Sequence, residues 1–239
     1  IKHIQETTKP QILNAEGATF CINADGGVNE IRPMIDHPET LALSSLDALV
    51  KLVKSEAKNL AESILYITIP NHETVNCFDQ PCPEERYHRQ TYYVAHATDV
   101  PGWDSKVQLS FEEMQIALRT RFQETPDAIY AMKLLSDITT GAKITFNDNG
   151  VATSVVTKKG IDLQSNEAIR PIVKLKPYRT FQEVEQPEST FLIRVSERGI
   201  SFTEADGGMW KLTARMTIKK YLEEALRSEV EAGEVVIAL

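Results

Sequence analysis

Residues 64–78, Ile-Leu-Tyr-Ile-Thr-Ile-Pro-Asn-His-Glu-Thr-Val-Asn-Cys-Phe, contain two β-branched apolar runs, Ile64–Ile69 and Thr74–Phe78. Pro70-Asn71 stops the first run, and the second begins after a tight polar connection. A link this short folds the chain back on itself, whereas a parallel crossover needs a dozen residues or more. A third run, Gln90–Thr98, is rich in Tyr and Val and alternates at Tyr92, Val94 and His96. Asp79–Tyr87, with two prolines, is read as the loop before it. Strands that cluster in hairpins predict antiparallel sheets, so the fold class is α+β.

The flanking segments extend this pattern. Upstream, Ile12-Leu13 and Ala18–Ile22 are short apolar runs and Asp25-Gly26-Gly27 is a turn, so residues 11–32 read as a hairpin. Arg32-Pro33 and His37-Pro38 force an extended link. A helix is predicted from about Ser45 to Leu60, opened by a capping-box-like Ser44-x-x-Asp47. Its stripe is Leu46, Leu49, Val50, Val53, Ala57 and Leu60, with Lys51, Lys54, Glu56 and Lys58 on the solvated face.

Downstream, Ser110-x-x-Glu113 is a full capping box, followed by a seam of Phe111, Met114, Leu118 and Phe122. Thr125-Pro126-Asp127 opens the next helix, striped by Ile129, Met132, Leu135 and Ile138 and ended at Gly141. The short link between them predicts an antiparallel helix pair. Ala142–Phe146 and Val151–Thr157 alternate about Asn147-Asp148-Asn149-Gly150, a hairpin turn. Ile172–Leu175, Thr190–Val195, Ile200–Glu204 and Trp210–Met216 read as strands. A helix at about Ile218–Val230 follows, with Tyr221, Leu222 and Leu226 inward. Glu234–Leu239 reads as a last strand burying Val235, Val236 and Ile237. About four helices are expected on one face of the sheets. Polar, unpatterned Lys158–Ile169 suggests an N-terminal α+β region, 1–160, and a strand-rich region, 161–239, or one continuous domain.

Of the 239 residues, 42% are hydrophobic and 25% charged, ordinary globular usage that supports a packed core. The net charge of -8 disfavours nucleic acid as a partner unless basic residues cluster locally. Three cysteines, Cys21, Cys77 and Cys82, do not describe a disulfide framework and point to a reducing, cytoplasmic compartment. No run approaches the length of a membrane span. The start, Ile1-Lys2-His3-Ile4, has no apolar signal core and no methionine, so a few leading residues are expected to be missing.

Candidate chemistry is sparse. Cys77 and Cys82 sit at zinc-ligand spacing with His72 and His88 nearby, though ordinary free thiols explain them as well. The sequence holds no phosphate-binding glycine loop, no nucleophile elbow and no zinc-protease helix motif. His96 is a conceivable base or a plain sheet residue. Glu84, Glu85 and Arg86 are a charged loop tip. Asn147–Gly150 has calcium-ligand residue types without the rest of an EF-hand. In the window Lys174–Arg194, the basic residues Lys174, Lys176, Arg179 and Arg194 alternate with Leu175, Tyr178, Phe181 and Phe191. That pattern suits single-stranded nucleic acid or a half-buried strand, and Glu183, Glu185 and Glu188 dilute it. Trp210, with Phe202 and Met209, is an interface anchor or a core residue.

Several stretches together resemble the YfdQ-like group of bacteriophage and prophage proteins. They include Ser45-Leu46-Asp47-Ala48-Leu49-Val50, Ser110-Phe111-Glu112-Glu113, the hairpin after Gly141, and Phe191-Leu192-Ile193-Arg194 with Gly199-Ile200-Ser201-Phe202. Pro177-Tyr178-Arg179-Thr180-Phe181, Glu185-Gln186-Pro187-Glu188-Ser189 and Asp206-Gly207-Gly208-Met209-Trp210-Lys211 look like proteins from phages of Gram-positive bacteria. The resemblance implies a viral origin and expression in the host cytoplasm, and it carries over no catalytic, cofactor or metal residue. The expected function is non-catalytic, acting as a homo-oligomer or by binding a host or phage macromolecule. The alternatives are an accessory or inhibitor in nucleic-acid metabolism or host defence, and a metal-dependent enzyme using Cys77 and Cys82.

Overall fold

The computed structural model describes residues 10–15, 18–31, 37–57, 64–85, 87–105, 107–140, 144–148, 153–157, 170–196 and 199–239. The fold is α+β. A five-stranded sheet is built from β4 (Leu41–Leu43), β5 (Leu65–Asn71), β6 (Thr74–Phe78), β7 (Thr91–His96) and β13 (Val235–Ala238), in the order β13-β5-β6-β7-β4. The meander β5-β6-β7 is antiparallel, and β13 on β5 and β4 on β7 pair in parallel. Residues 64–78 thus form the hairpin at the centre of this sheet. Its period-two pattern buries Leu65, Ile67, Ile69, Val75 and Cys77 on one face. The other face carries the stacked pair Tyr66–Phe78, with the Arg89 guanidinium 4.7 Å and 5.3 Å from their ring centroids.

Helix α1 (Leu46–Leu52) covers the buried face together with the long α4 (Met209–Ala225). The cap of α1 is Ser45, one residue later than the capping-box pattern predicts. Its hydroxyl accepts from Ala48 N–H, and the Leu46 N–H that remains donates to Glu183 Oε1 at 2.8 Å. Beyond Leu52 the helix widens into a π-turn, Val53–Ala57, and residues 58–60 of the expected helix lie outside the described residues.

A second core lies between α2 (Phe111–Arg121), α3 (Pro126–Thr140) and the antiparallel sheet of β10 (Ile172–Leu175), β11 (Ser189–Ser196) and β12 (Gly199–Glu204). Both reciprocal bonds of the Ser110/Glu113 capping box form, and Thr125 Oγ1 accepts from Ala128 N–H as expected. Each core draws on both sides of residue 160. Phe181, Val184 and Ile218 join the first, while Met114 and Leu135 pack with Val173 and Phe191 in the second. The stretch expected to divide the chain, residues 158–169, lies outside the described residues.

The strand expected at Trp210–Met216 is instead the start of α4. Trp210, Leu212, Ala214 and Met216 alternate, but Trp210, Ala214, Ile218 and Leu222 also recur every four residues. Packing selects the second period, burying those four and leaving Leu212 and Met216 exposed. α5 (Arg227–Glu231) follows, and β13 buries Val235 but exposes Val236, because only alternate residues face the helices.

Two small sheets complete the described strands. β1 (Gln11–Ala15), β2 (Ala18–Ile22) and β3 (Val28–Ile31) form an antiparallel sheet in which the expected hairpin gains a third strand. β8 (Ile144–Asp148) and β9 (Thr153–Thr157) form the later hairpin. Asn147 and Asp148 pair within that ladder instead of turning, and Asn149 and Gly150 lie outside the described residues.

Gly199 ties α2 to the second sheet. Leu109 and Ile200 exchange backbone hydrogen bonds of 3.0 and 2.8 Å, and Gly199 takes φ +135. A Cβ there would lie 2.1 Å from the Leu109 carbonyl oxygen. Gly199→Ala is expected to cost at least about 2 kcal/mol, read as a lower urea midpoint with an unchanged slope. An unchanged midpoint would contradict this close approach.

Candidate functional site

The residues of highest chemical potential converge where the two cores meet. The loop from Lys176 to Glu188 connects β10 to β11 and carries Arg179, which is 4% exposed. Its guanidinium ion-pairs with Glu204 at the end of β12 and donates to Ser189 Oγ at 2.8 Å. It also lies over Trp210, 4.0 Å from the ring centroid. Trp210 Nε1 donates to the other Glu204 oxygen at 3.2 Å, so one carboxylate holds both partners of the stack.

Local turns place these groups. Asp206 Oδ1 accepts from Gly208 N–H, and Gly207 and Gly208 both take left-handed φ. The chain therefore reverses within three residues and presents Trp210 in the first turn of α4. Gln186 organises the loop from inside. Its Oε1 accepts from Arg179 and Thr180 N–H, and its Nε2 donates to the Phe181 carbonyl at 3.0 Å. Thr180 Oγ1 donates to the His72 carbonyl in the β5–β6 turn at 2.5 Å, and the His72 ring meets Trp210 edge-on at 4.6 Å.

The electrostatics follow from burial. Desolvation lowers the Arg179 pKa, opposed by Glu204 and Asp206. Burial also lowers His72 below 6.5, against the pull of Glu73, with Lys211 and Arg179 adding to the lowering. Arg179 Nε is buried without a hydrogen-bond partner. The Glu204, Ser189, Thr180 and Gln186 side chains are all bonded within the cluster, an arrangement that suits a fastening.

The other candidates are dispersed. Cys77 lies in the core of the sheet, and burial pushes its thiol up to about 12, so it stays protonated and unreactive at neutral pH. Cys82 is partly exposed and pairs through its backbone with His88. Among the described residues no group of three or more His, Cys, Asp or Glu is placed to hold a metal ion. His96 Nδ1 lies 3.2 Å from Thr74 Oγ1 at the exposed end of β7. Glu85 meets His37 Nε2 at 2.7 and 2.8 Å, tying the link before β4 to the 79–87 loop. Arg86 and the Glu84 side chain lie outside the described residues.

In the basic–aromatic window, Lys174 pairs with Glu188 at 3.4 Å and Lys176 with Glu185 at 2.5 Å, which holds Glu185 below the usual carboxylate range. Phe181 and Phe191 are 1% and 0% exposed and cannot stack on bases. Glu204 and Gln186 were not singled out by sequence. Arg179 lies 25 residues before its carboxylate partner, a separation that leaves no local pattern.

Comparison with protein-family models, with curated proteins and with solved structures finds no match. Among the described residues no helix is long and apolar enough to cross a membrane.

Two outcomes test the fastening. Removing one partner strands a buried charge, so Glu204→Ala is expected to cost roughly 3–5 kcal/mol by chemical denaturation. The double replacement Arg179→Met/Glu204→Leu is expected to cost less than that single change. His72 gives a pH dependence. Its folded pKa lies below its unfolded value, so its contribution is complete above pH 6.5 and is lost as pH falls toward the folded pKa. The drop in urea midpoint between about pH 7.5 and about pH 5 is expected to be smaller in His72→Asn than in the parent. An equal drop would remove His72 from the account.

Proposed function

We infer that this chain is a non-catalytic protein of phage or prophage origin that acts by association, assembling with copies of itself. The observation that carries the reading is the β1–β3 sheet. Its register places Leu13, Ala15, Ala18, Phe20, Ile22 and Val28 on one face, with Gln11 and Glu30 as the polar residues at its margins. Leu13 is 52% and Val28 60% exposed, and no residue of this sheet belongs to either hydrophobic core. A small sheet persists in water when its apolar face is covered, and a surface of this kind marks an interaction site. The polar cluster supports the same reading from the other side, because its groups hold one another.

The viral origin rests on the short patches quoted above and on their order along the chain. Three of them, containing Arg179, Gln186 with Ser189, and Trp210, meet in the buried fastening, as expected where a motif maintains a fold.

Size-exclusion chromatography with light scattering across a concentration series tests the reading. The expected result is a mass that rises above the 26.8 kDa of one chain as concentration increases. A mass fixed at one chain over the whole series would overturn it.

A further inference from the structure

We propose that β1 is the contact strand, pairing antiparallel with β1 of a second copy about a two-fold axis at Leu13. The inference rests on the reading of the protein as one that acts by association, and it names the site and the partner. Among the described residues β1 is the end strand of its sheet. Its register with β2 runs unbroken from Gln11↔Ile22 to Ala15↔Ala18, without a bulge. Its five residues, Gln-Ile-Leu-Asn-Ala, carry no charge and no proline, and Ile12 and Leu13 are 70% and 52% exposed. Charges, prolines and bulges are the devices by which edge strands avoid pairing, and β1 has none of them.

Most other described edges differ, and β8 carries Asp148; β9 is likewise free of charge and proline, but three of its five residues, Thr153, Ser154 and Thr157, bear hydroxyls where β1 offers Ile12 and Leu13. β3 carries Glu30 and β10 carries Lys174. β12 is covered by the Leu109 bridge, β4 has three residues, and β13 is flanked by α5. The uncharged edge also suits a copy of itself better than a charged partner. A chain of net charge -8 is repelled by a second copy wherever acidic residues meet, and residues 11–15 bring none.

Self-pairing about Leu13 is stereochemically consistent. A ladder closed over two residues starts on a hydrogen-bonded pair, Ala15↔Ala18, and bonding then alternates along the strand. The N–H and C=O groups of Ile12 and Asn14 are therefore the ones facing outward. In the proposed pairing Ile12 of each copy bonds Asn14 of the other, and the two Leu13 residues form the close, non-hydrogen-bonded pair between them. The axis is perpendicular to the sheet, so the face bearing Leu13, Phe20, Ile22 and Val28 continues across both copies. A ladder of five residues is smaller than the interface of a stable complex, so the dimer depends on concentration.

Cross-linking and charge exchange test this. In a Cys21→Ser/Cys82→Ser background, Leu13→Cys is expected to oxidise to a covalent dimer. Val28→Cys, equally exposed but on the far edge of the sheet, is expected to remain single. Leu13→Lys and Leu13→Glu should each move the monomer–dimer midpoint at least about tenfold upward in concentration, by placing like charges opposite one another. Mixing the two should restore it. An oligomeric parent with no Leu13→Cys cross-link and no effect of either charge would overturn this inference and leave association standing. A parent that stays monomeric would overturn both.

Discussion

The buried guanidinium of Arg179 is the constraint around which the rest is arranged. A charge taken out of water is tolerated only when it is paired and well bonded. Glu204, Ser189 and the Trp210 ring meet that need from three segments, the end of β12, the start of β11 and the first turn of α4. Phe181 and Val184, a few residues further along the same loop, belong to the first core, while Phe191 beside the guanidinium belongs to the second. Holding Arg179 therefore fixes how the chain leaves the second core and returns to the first through α4 and β13.

The same loop closes other valences at a distance. Glu183 supplies the acceptor that the first turn of α1 needs, and Thr180 reaches the β5–β6 turn. A carboxylate at a helix start and a hydroxyl on a turn carbonyl are ordinary local devices. Here a single connection delivers both, so the polar residues between β10 and β11 act as a strap across the first core. The function proposed above places the working surface outside the cores, on the β1–β3 sheet.

Where a single period was present, the sequence was sufficient. The 64–78 hairpin, the Ser110/Glu113 box and the Thr125 cap are set by neighbours within a few residues, and each appears as expected. Trp210–Met216 failed because alternate and every-fourth spacing coincide there, and only the packing of Ala214 and Ile218 separates them. The Ser44 cap failed because two serines compete and the second has the geometry. The candidate site was least legible. Arg179 stands among several cations in a pattern that suits nucleic acid or a half-buried strand; β11, with Phe191 buried and Arg194 exposed, fits the second, and nothing within the window announces Glu204. Long-range pairing of a buried charge leaves no periodic trace.

The central claim is that the strap makes the two cores a single cooperative unit. Urea unfolding of a Trp103→Phe variant, whose indole fluorescence reports Trp210 alone, can be followed together with far-UV circular dichroism. The account predicts one transition with the same midpoint and slope by both probes. A Trp210 transition well separated from the loss of secondary structure would contradict it.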